Sequence, residues 1–333
     1  MGKKGILLVN LGTPDDPSVG SVRRYLREFL MDGRVIDIPF IPRWMLVNLI
    51  ITTFRAPKSA AEYQKLWEDR GSPLKFHSVD LVEAVQEQLG NDYVVRLGMR
   101  YQQPSISSAL QELQTAKVTS IKVIPLFPQY ASATTGSVQE KVMSIVSTWQ
   151  IIPKIDFVAQ FFDHPLFLDT IVARAQEKLS QSQYDHYLFS YHGLPERQIM
   201  KADKTCELGS CCDTCTDDNR YCYRAQCFET TRLLAQRLGL NNDQISTTFQ
   251  SRLGKDPWIQ PYTEDVLHEL AKAGKKRVLA FSPAFVADCL ETTLEVGETY
   301  QEEFIKAGGE QWDLVESLNV HPTWVDCVAE LAR

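Results

Sequence analysis

Asp185-His-Tyr-Leu-Phe-Ser-Tyr-His-Gly-Leu-Pro-Glu-Arg197 decides how the rest of this 333-residue chain is read. The apolar run Tyr187 to Tyr191 predicts a strand that stops at His192-Gly193. Pro195 then bars a central strand from continuing, because proline has no N–H to give the ladder. His192 therefore sits at the carboxyl end of a strand, where open α/β sheets bind their ligands. An imidazole there is a candidate base or metal ligand, and its bland alternative is a histidine that hydrogen-bonds a loop.

Two further stretches repeat the pattern. Thr248-Phe-Gln-Ser-Arg-Leu-Gly254, followed by Pro257-Trp-Ile-Gln-Pro-Tyr-Thr263, is a strand end that breaks into a polar, proline-rich loop. Val278 to Glu295 reads as a strand that breaks at Pro283 and becomes a helix carrying Glu291 and Glu295. Four residues apart, these carboxylates share one helical face; without context they would be an exposed acidic surface.

Outward from these, strand signals recur at Lys4–Leu11, Tyr93–Met99, Ile121–Phe127 and Ile155–Phe161, then near 185–191, 245–250, 277–282 and 313–318. Helical patterns such as Val19–Phe29, Val79–Gln88, Val138–Ser147 and Leu166–Leu179 alternate with them. Alternation of this kind predicts an α/β fold with doubly wound, Rossmann-like parallel sheets. The second half resembles the first in the number and order of its elements. We expect two similar α/β domains facing a cleft, residues 1–165 and 166–320, and a closing helix in 321–333, without a residue-level repeat.

Composition narrows the function. With 35 basic and 42 acidic residues the net charge is −7, and no basic stripe suggests nucleic acid as a partner. Gly12-Thr-Pro14 lacks the lysine and spacing of a phosphate loop, so ATP binding has no support. Met1-Gly-Lys-Lys opens directly into a core strand, and the expectation is a cytoplasmic protein. Six of the eight cysteines fall between Cys206 and Cys227, crowding that in a reducing compartment argues for metal or cluster ligation. Cys327 reads as a buried, inert thiol.

Taken together, Ser190-Tyr-His-Gly-Leu-Pro-Glu-Arg197, Thr248-Phe-Gln-Ser-Arg252, Pro257-Trp258, Pro261-Tyr-Thr263 and Asp288-Cys-Leu-Glu-Thr292 resemble the ferrochelatases, the terminal enzymes of haem synthesis. The resemblance extends over nearly the whole chain. It implies a chelatase-like fold and a lyase that inserts Fe²⁺, as substrate, into protoporphyrin IX. It also implies porphyrin contacts at Asn10, Leu11, Arg55, Tyr63, Ser72, Arg100, Tyr101 and Tyr130. Of these, Arg55 and Ser72 resemble propionate-binding positions, and Arg100, Tyr101 and Tyr130 resemble family residues on the porphyrin side opposite His192. From residues alone, Arg55-Ala-Pro-Lys58, Tyr63 and Gly71-Ser-Pro73 read as polar, loop-rich ground able to bind carboxylates or simply to be solvated. Ser132 to Gly136 could merely cap the next helix.

Pro39 to Phe54 is too short and too interrupted to span a bilayer, which takes about 20 apolar residues. Its pattern favours a buried core helix over an interfacial segment, although Trp44 between Arg43 and Arg55 suits an interface. The resemblance reverses that preference, because protoporphyrin-type ferrochelatases carry an apolar lip here that touches the inner membrane surface.

Inserting Fe²⁺ into a porphyrin requires removal of two pyrrole protons, dehydration of the metal and bending of the ring. Imidazole and carboxylate suit such a transfer, whereas a thiolate-rich site would retain the iron. His192 is assigned as proton acceptor or final metal ligand, with Glu291 as its partner toward iron, and Glu291 and Glu295 as a path for iron or protons. Cys289 stands where relatives carry histidine or cysteine.

For the cysteine-rich segment the spacing leaves zinc, iron–sulfur and free thiols open. The resemblance implies a [2Fe-2S] cluster of the internal-insertion type in residues 206–227. Cys206, Cys211, Cys212, Cys215 and Cys222 supply four ligands with one to spare, and Cys227 is ranked last. Alternatives are a chelatase for coproporphyrin or, with cobalt, sirohydrochlorin, and from another class a non-enzymatic iron or redox sensor.

Overall fold

The eight strands form two separate four-stranded parallel sheets in the computed structural model, which describes residues 2–212, 214–252, 254 and 256–333. Asp213 of the cysteine-rich stretch and Leu253 of the Thr248–Gly254 stretch lie outside the described residues. The strands are β1 Lys4–Gly12, β2 Tyr93–Tyr101, β3 Ser120–Pro125, β4 Lys154–Phe157, β5 His186–His192, β6 Ile245–Gln250, β7 Arg277–Phe281 and β8 Gln311–Leu314. Their orders are β2-β1-β3-β4 and β6-β5-β7-β8, so one winding is used twice with no sequence repeat to announce it. The helices are α1 Val19–Leu30, α2 Phe40–Met45, α3 Thr52–Leu66, α4 Pro73–Leu89, α5 Ile106–Thr115, α6 Ser137–Val146, α7 Pro165–Leu179, α8 Glu196–Ala202, α9 Tyr223–Leu238, α10 Thr263–Lys272, α11 Tyr300–Lys306 and α12 Pro322–Ala332. Three π-helical stretches, with i→i+5 bonding, cover Leu46–Ile51, Ser132–Gly136 and Leu290–Thr299.

The chain divides into two compact units. One comprises Met1–Phe127, Ser132–Gln160 and Val325–Arg333, the other Pro128–Ala131 and Phe161–Trp324. In the first, β1 is buried on both faces through Ile6-Leu7-Leu8-Val9, as a central parallel strand covered by helices must be. Leu7 and Val9 pack with Ile106, Leu110 and Leu113 of α5 and with Val138 and Val142 of α6. Each such side chain contributes roughly 1.5–3 kcal/mol by leaving water. In the second, Leu188, Val278 and Ala280 pack with Leu267 of α10, Val296, Phe304 of α11 and Trp312.

Glycine is dictated at the end of β1. Gly12 has φ +110°, and a Cβ there would stand 1.9 Å from the Tyr101 carbonyl oxygen of the neighbouring strand.

Four readings made from residue pattern alone are corrected. Residues 55–63 are helical, not loop: Ala56, Ser59, Ala60, Tyr63 and Leu66 form a buried stripe along α3, and that packing outweighs Pro57 inside the helix, which costs about 3 kcal/mol. The 40–51 stretch is not a core helix, since Val47 alone in it is buried. The segment carrying Glu291 and Glu295 is π-helical, and β8 ends at Leu314 instead of reaching 318. The chain leaves the sheet there because the Ser317 amide donates to Asp288 and Asn319 turns left-handed, at φ +47°.

Candidate functional site

β5 delivers His192 to its strand end in register with Gln250 of β6. Next to it the chains approach so closely that a Cβ on Gly193 would meet the Gln250 carbonyl oxygen at 2.8 Å and the Trp258 ring at 3.2 Å. The Gly193 amide donates to that same carbonyl at 2.8 Å. His192 is half-buried, and its Nδ1 lies 2.7 Å from the Gly193 carbonyl oxygen. A carbonyl only accepts, so Nδ1 carries the proton and Nε2 keeps a lone pair for a proton or a metal. Tyr223, at the start of α9, donates its hydroxyl to the His192 carbonyl at 2.8 Å, which holds the backbone of this residue from the other side.

Glu295 projects from the π-helical stretch into a set of donors. Ser251 Oγ donates to its two oxygens at 3.0 and 2.8 Å, Gln250 Nε2 at 3.2 Å and Tyr300 at 3.2 Å. Burial is the largest influence on this carboxyl and raises its pKa; Glu291 pushes the same way, while Ser251, His192 and Tyr300 oppose it. Glu295 is thus a carboxyl that takes up a proton more readily than a solvated one. Gln250 also amounts to a link, since its Oε1 accepts from Ser190 Oγ at 2.6 Å on the His192 strand and its Nε2 reaches the Glu291 carbonyl at 3.4 Å. Sequence reasoning had no signal for Gln250 beyond its place inside the Thr248–Arg252 motif. Glu291 is half-buried in the first turn of this stretch. Cys289 caps it: the Cys289 amide donates to Thr292 Oγ1 at 2.9 Å, and burial pushes its thiol well up.

The expected porphyrin residues of the first unit divide into two kinds. Asn10 is buried and donates to Ser78, Ser72 is buried and accepts from Thr13 at 2.9 Å, and Tyr63 stands edge-on to Tyr25. Leu11 is half-buried and Arg55 exposed. Arg100 and Tyr101 instead converge on Asp32, which sequence reasoning missed. The Asp32 carboxylate accepts from Arg100 and Ser137 at 2.5 Å each and from the Tyr101 hydroxyl at 2.9 Å. Burial works against the charge on Asp32, but Ser137, the Arg34 amide, Arg100 and Tyr101 together outweigh it and lower its pKa. Tyr130, in the second unit, is half-buried, packs edge-on to Tyr221 and has its amide held by Gln226 Oε1 at 2.6 Å.

The cysteine-rich segment gathers four sulfurs in a row. Cys206 and Cys211 are 3.4 Å apart, Cys211 and Cys212 3.5 Å, and Cys212 and Cys222 3.7 Å, with no disulfide among the described residues. The first three lie within 4.8 Å of one another. Asn219 holds the loop in this form, donating to the carbonyls of Cys211 and Thr214 and accepting from the Thr216 amide. Cys222 is the N-cap of α9, and the Cys212 thiol together with the amides of the helix start lowers its pKa. Cys206 is pushed up to about 12, by burial first and then by its sulfur neighbours. Cys215 is not in the row, and Cys227 lies fully buried within α9.

The ferrochelatase family profile matches residues 3–333. A ferrochelatase of Coxiella burnetii (strain Dugway 5J108-111) is 47% identical over 336 aligned positions, 99% of this chain and 93% of the relative. One of Legionella pneumophila (strain Lens) is 47% identical over 337 positions, 99% of both chains. Among solved structures, SirB from Bacillus subtilis with Fe³⁺ superposes with a TM-score of 0.55 at 14% identity, covering 99% of this chain and 96% of that one. The sirohydrochlorin chelatase SirB from Bacillus subtilis subspecies spizizenii with cobalt gives 0.53 at 12% identity, covering 99% and 94%. At that identity these two speak for the fold alone.

The Asp32 network makes a prediction about stability. Because the native pKa of Asp32 is below the ordinary 3.8, its contribution is complete above that value and is lost as pH falls through the native one. Asp32→Asn should therefore cost about 1–3 kcal/mol in denaturant melts at pH 7, where the half-buried Arg100 is left without its charged partner. The gap between variant and wild type should narrow as pH is taken from 7 to below the solution value of about 3.9. An equal gap at both ends of that range would contradict this account of the network.

With a profile match over essentially its full length and relatives identical at nearly half their positions, the chain belongs to the ferrochelatase family.

Proposed function

We propose that this chain inserts ferrous iron into protoporphyrin IX to form protohaem, the last step of haem synthesis. What carries the reading is the conjunction, in one unit, of a tautomer-fixed His192 and a π-helical face bearing Glu291 and the proton-retaining Glu295. These are groups that can accept pyrrole protons and hold iron loosely enough to release it. His192 Nε2 takes a pyrrole proton or makes the last contact to iron. Glu291 and Glu295 form the path that delivers iron or carries protons away. Asn10, Leu11, Arg55, Tyr63, Ser72 and Tyr130 contact the macrocycle, Arg55 and Ser72 at its propionates. Arg100 and Tyr101, taken up by Asp32, serve as rigid backing to that surface. Rigid walls favour the bent ring over the flat one, which is where binding energy lowers the barrier. Membership of the family at 47% identity disfavours both a sirohydrochlorin chelatase and a sensor.

His192→Ala should lower anaerobic iron insertion by about 10²-fold or more, the usual range for a lost general base, with protoporphyrin still bound. Glu291→Gln should follow and Glu295→Gln lose least. Wild-type turnover in His192→Ala would remove this mechanism. Turnover of sirohydrochlorin but not protoporphyrin would remove the substrate assignment.

Cys206, Cys211, Cys212 and Cys222 are the set we assign to a [2Fe-2S] cluster, with Cys215 the one to spare. A single zinc held by four thiolates at about 2.3 Å needs a compact tetrahedron. The sulfurs form a row in which Cys222 extends beyond the trio, and that form suits two metals better. When bound, the cluster ties the loop to the start of α9, whose Tyr223 holds His192. Cys222→Ser should abolish the visible absorbance and the paramagnetic signal of the reduced cluster, while Cys215→Ser keeps both. Colourless wild-type protein with one zinc per chain would replace the cluster by zinc.

Among the described residues no helix is long and apolar enough to cross a membrane. Phe40, Ile41 and Phe54 are nevertheless 62%, 70% and 76% exposed, and Trp44, Met45, Leu49 and Ile50 are exposed beside them. Single exposed apolar residues are ordinary, but seven within fifteen positions favour a segment that rests on the inner membrane surface, where a poorly soluble porphyrin is collected. The protein should float with liposomes, and Trp44→Ser, Leu49→Ser and Ile50→Ser combined should abolish this; unchanged flotation would leave the segment without a membrane role.

A further inference from the structure

Asp288 precedes the cap of the π-helical stretch and stands three residues before Glu291, so by type and position it invites assignment as another iron-path carboxylate. Its surroundings say otherwise. One oxygen accepts from the Ser317 amide at 3.2 Å, the other from Asn319 Nδ2 at 2.7 Å, and its own amide donates to Asn319 Oδ1 at 3.0 Å. The Asn319 amide donates in turn to the Val286 carbonyl at 2.9 Å, and Asn319 Nδ2 also reaches Glu316 at 3.0 Å. Asn319 is 4% exposed and left-handed at φ +47°, a conformation that asparagine tolerates better than most residues. A buried residue in that conformation, with its amide group bonded on both sides, is a clamp between the chain after β8 and the chain before the π-helical stretch.

We propose that Asn319 is a positioning residue for metal insertion: by gripping Asp288 on both sides of its backbone and side chain, it fixes the first turn of the π-helical stretch and with it Glu291. The inference rests on the reading that Glu291 handles iron. Asp288 then acts as the anchored end of this clamp, and its charge has no part in the path. Misplacing a reacting group by about 1 Å is enough to cost up to 10²-fold in rate.

The hydrogen-bond pattern allows a test by exchange. An amide at position 288 has one oxygen for two donors, so Asp288→Asn alone breaks a bond whichever way it is turned. With Asp288→Asn and Asn319→Asp together, the amide oxygen at 288 accepts from the Ser317 amide, its NH₂ donates to the carboxylate at 319, and the backbone amide of 288 donates to that carboxylate too. Glu316→Gln, carried throughout, removes the new repulsion. Iron insertion would be measured anaerobically, with KM read separately for Fe²⁺ and protoporphyrin. Asp288→Asn and Asn319→Gly, the latter keeping the left-handed backbone accessible, should each raise the Fe²⁺ KM at least about 10-fold and leave the protoporphyrin KM unchanged, the loss expected of a displaced ligand. The exchange should restore it to within about threefold. Hydrogen exchange at residues 289–293 should quicken in Asn319→Gly and recover in the exchange, a readout independent of activity. Single variants with wild-type Fe²⁺ kinetics and unchanged hydrogen exchange would overturn the clamp, as would an exchange that stays as impaired as Asp288→Asn, which would mean the carboxylate itself is required. Faster exchange at 289–293 with Glu291→Gln kinetically silent would instead keep the clamp and remove the reading of Glu291.

Discussion

The hydrogen bonds that meet at Gln250 hold the unit that carries His192 and Glu295 together. Its backbone pairs with His192 across adjacent parallel strands, its carbonyl takes the Gly193 amide, and its side chain joins Ser190 to Glu295. A glutamine can do this because it offers a donor and an acceptor at one point, where a carboxylate would only accept. Ser190 Oγ continues the chain of bonds to Thr263 and Thr248, all buried. Polar groups packed this deeply are stable only when every one is satisfied, so the network specifies one arrangement of strand ends. His192 and Glu295, on different elements, are thereby placed relative to a shared partner.

A widened helix is the other half of this arrangement. An i→i+5 pattern is costly over ten residues, and such stretches gather at functional sites. Here the stretch is held at its start and again in its second half. Cys289 and Thr292 cap the start, and Trp312 Nε1 donates to the Val296 carbonyl at 2.8 Å within the core. The buried Val296 and Leu294 face the protein while Glu291 and Glu295 remain half-buried. The sheet fixes the histidine, and the capped helix fixes the carboxylates.

Much of this was legible in the chain itself. Strand ends announced themselves through abrupt changes from apolar runs to Gly and Pro, as at His192-Gly193 and Phe281-Ser-Pro283, and alternation with helices gave parallel sheets. What escaped reading was whatever depends on residues distant in sequence. Pro57 suggested a loop because the buried stripe beneath α3 is a tertiary fact. Asp32 carried no signal, since its partners Arg100, Tyr101 and Ser137 lie about 70 to 105 positions away. Asn319 carried no signal, because its clamp exists only once β8 lies beside β7. The cysteines were conspicuous by spacing, yet which of them share a site is set by Asn219 folding the loop, and that separates Cys215 from the row of four.

The central claim is that iron reaches the porphyrin by way of His192 and Glu291. Anomalous diffraction from crystals soaked anaerobically with Co²⁺, a redox-stable stand-in for ferrous iron, tests it directly. The account predicts an ion bound by His192 Nε2 and a Glu291 carboxylate oxygen, with the Glu295 carboxyl still held by Ser251 and Tyr300. Cobalt bound at other residues while His192 and Glu291 stay unligated would contradict it.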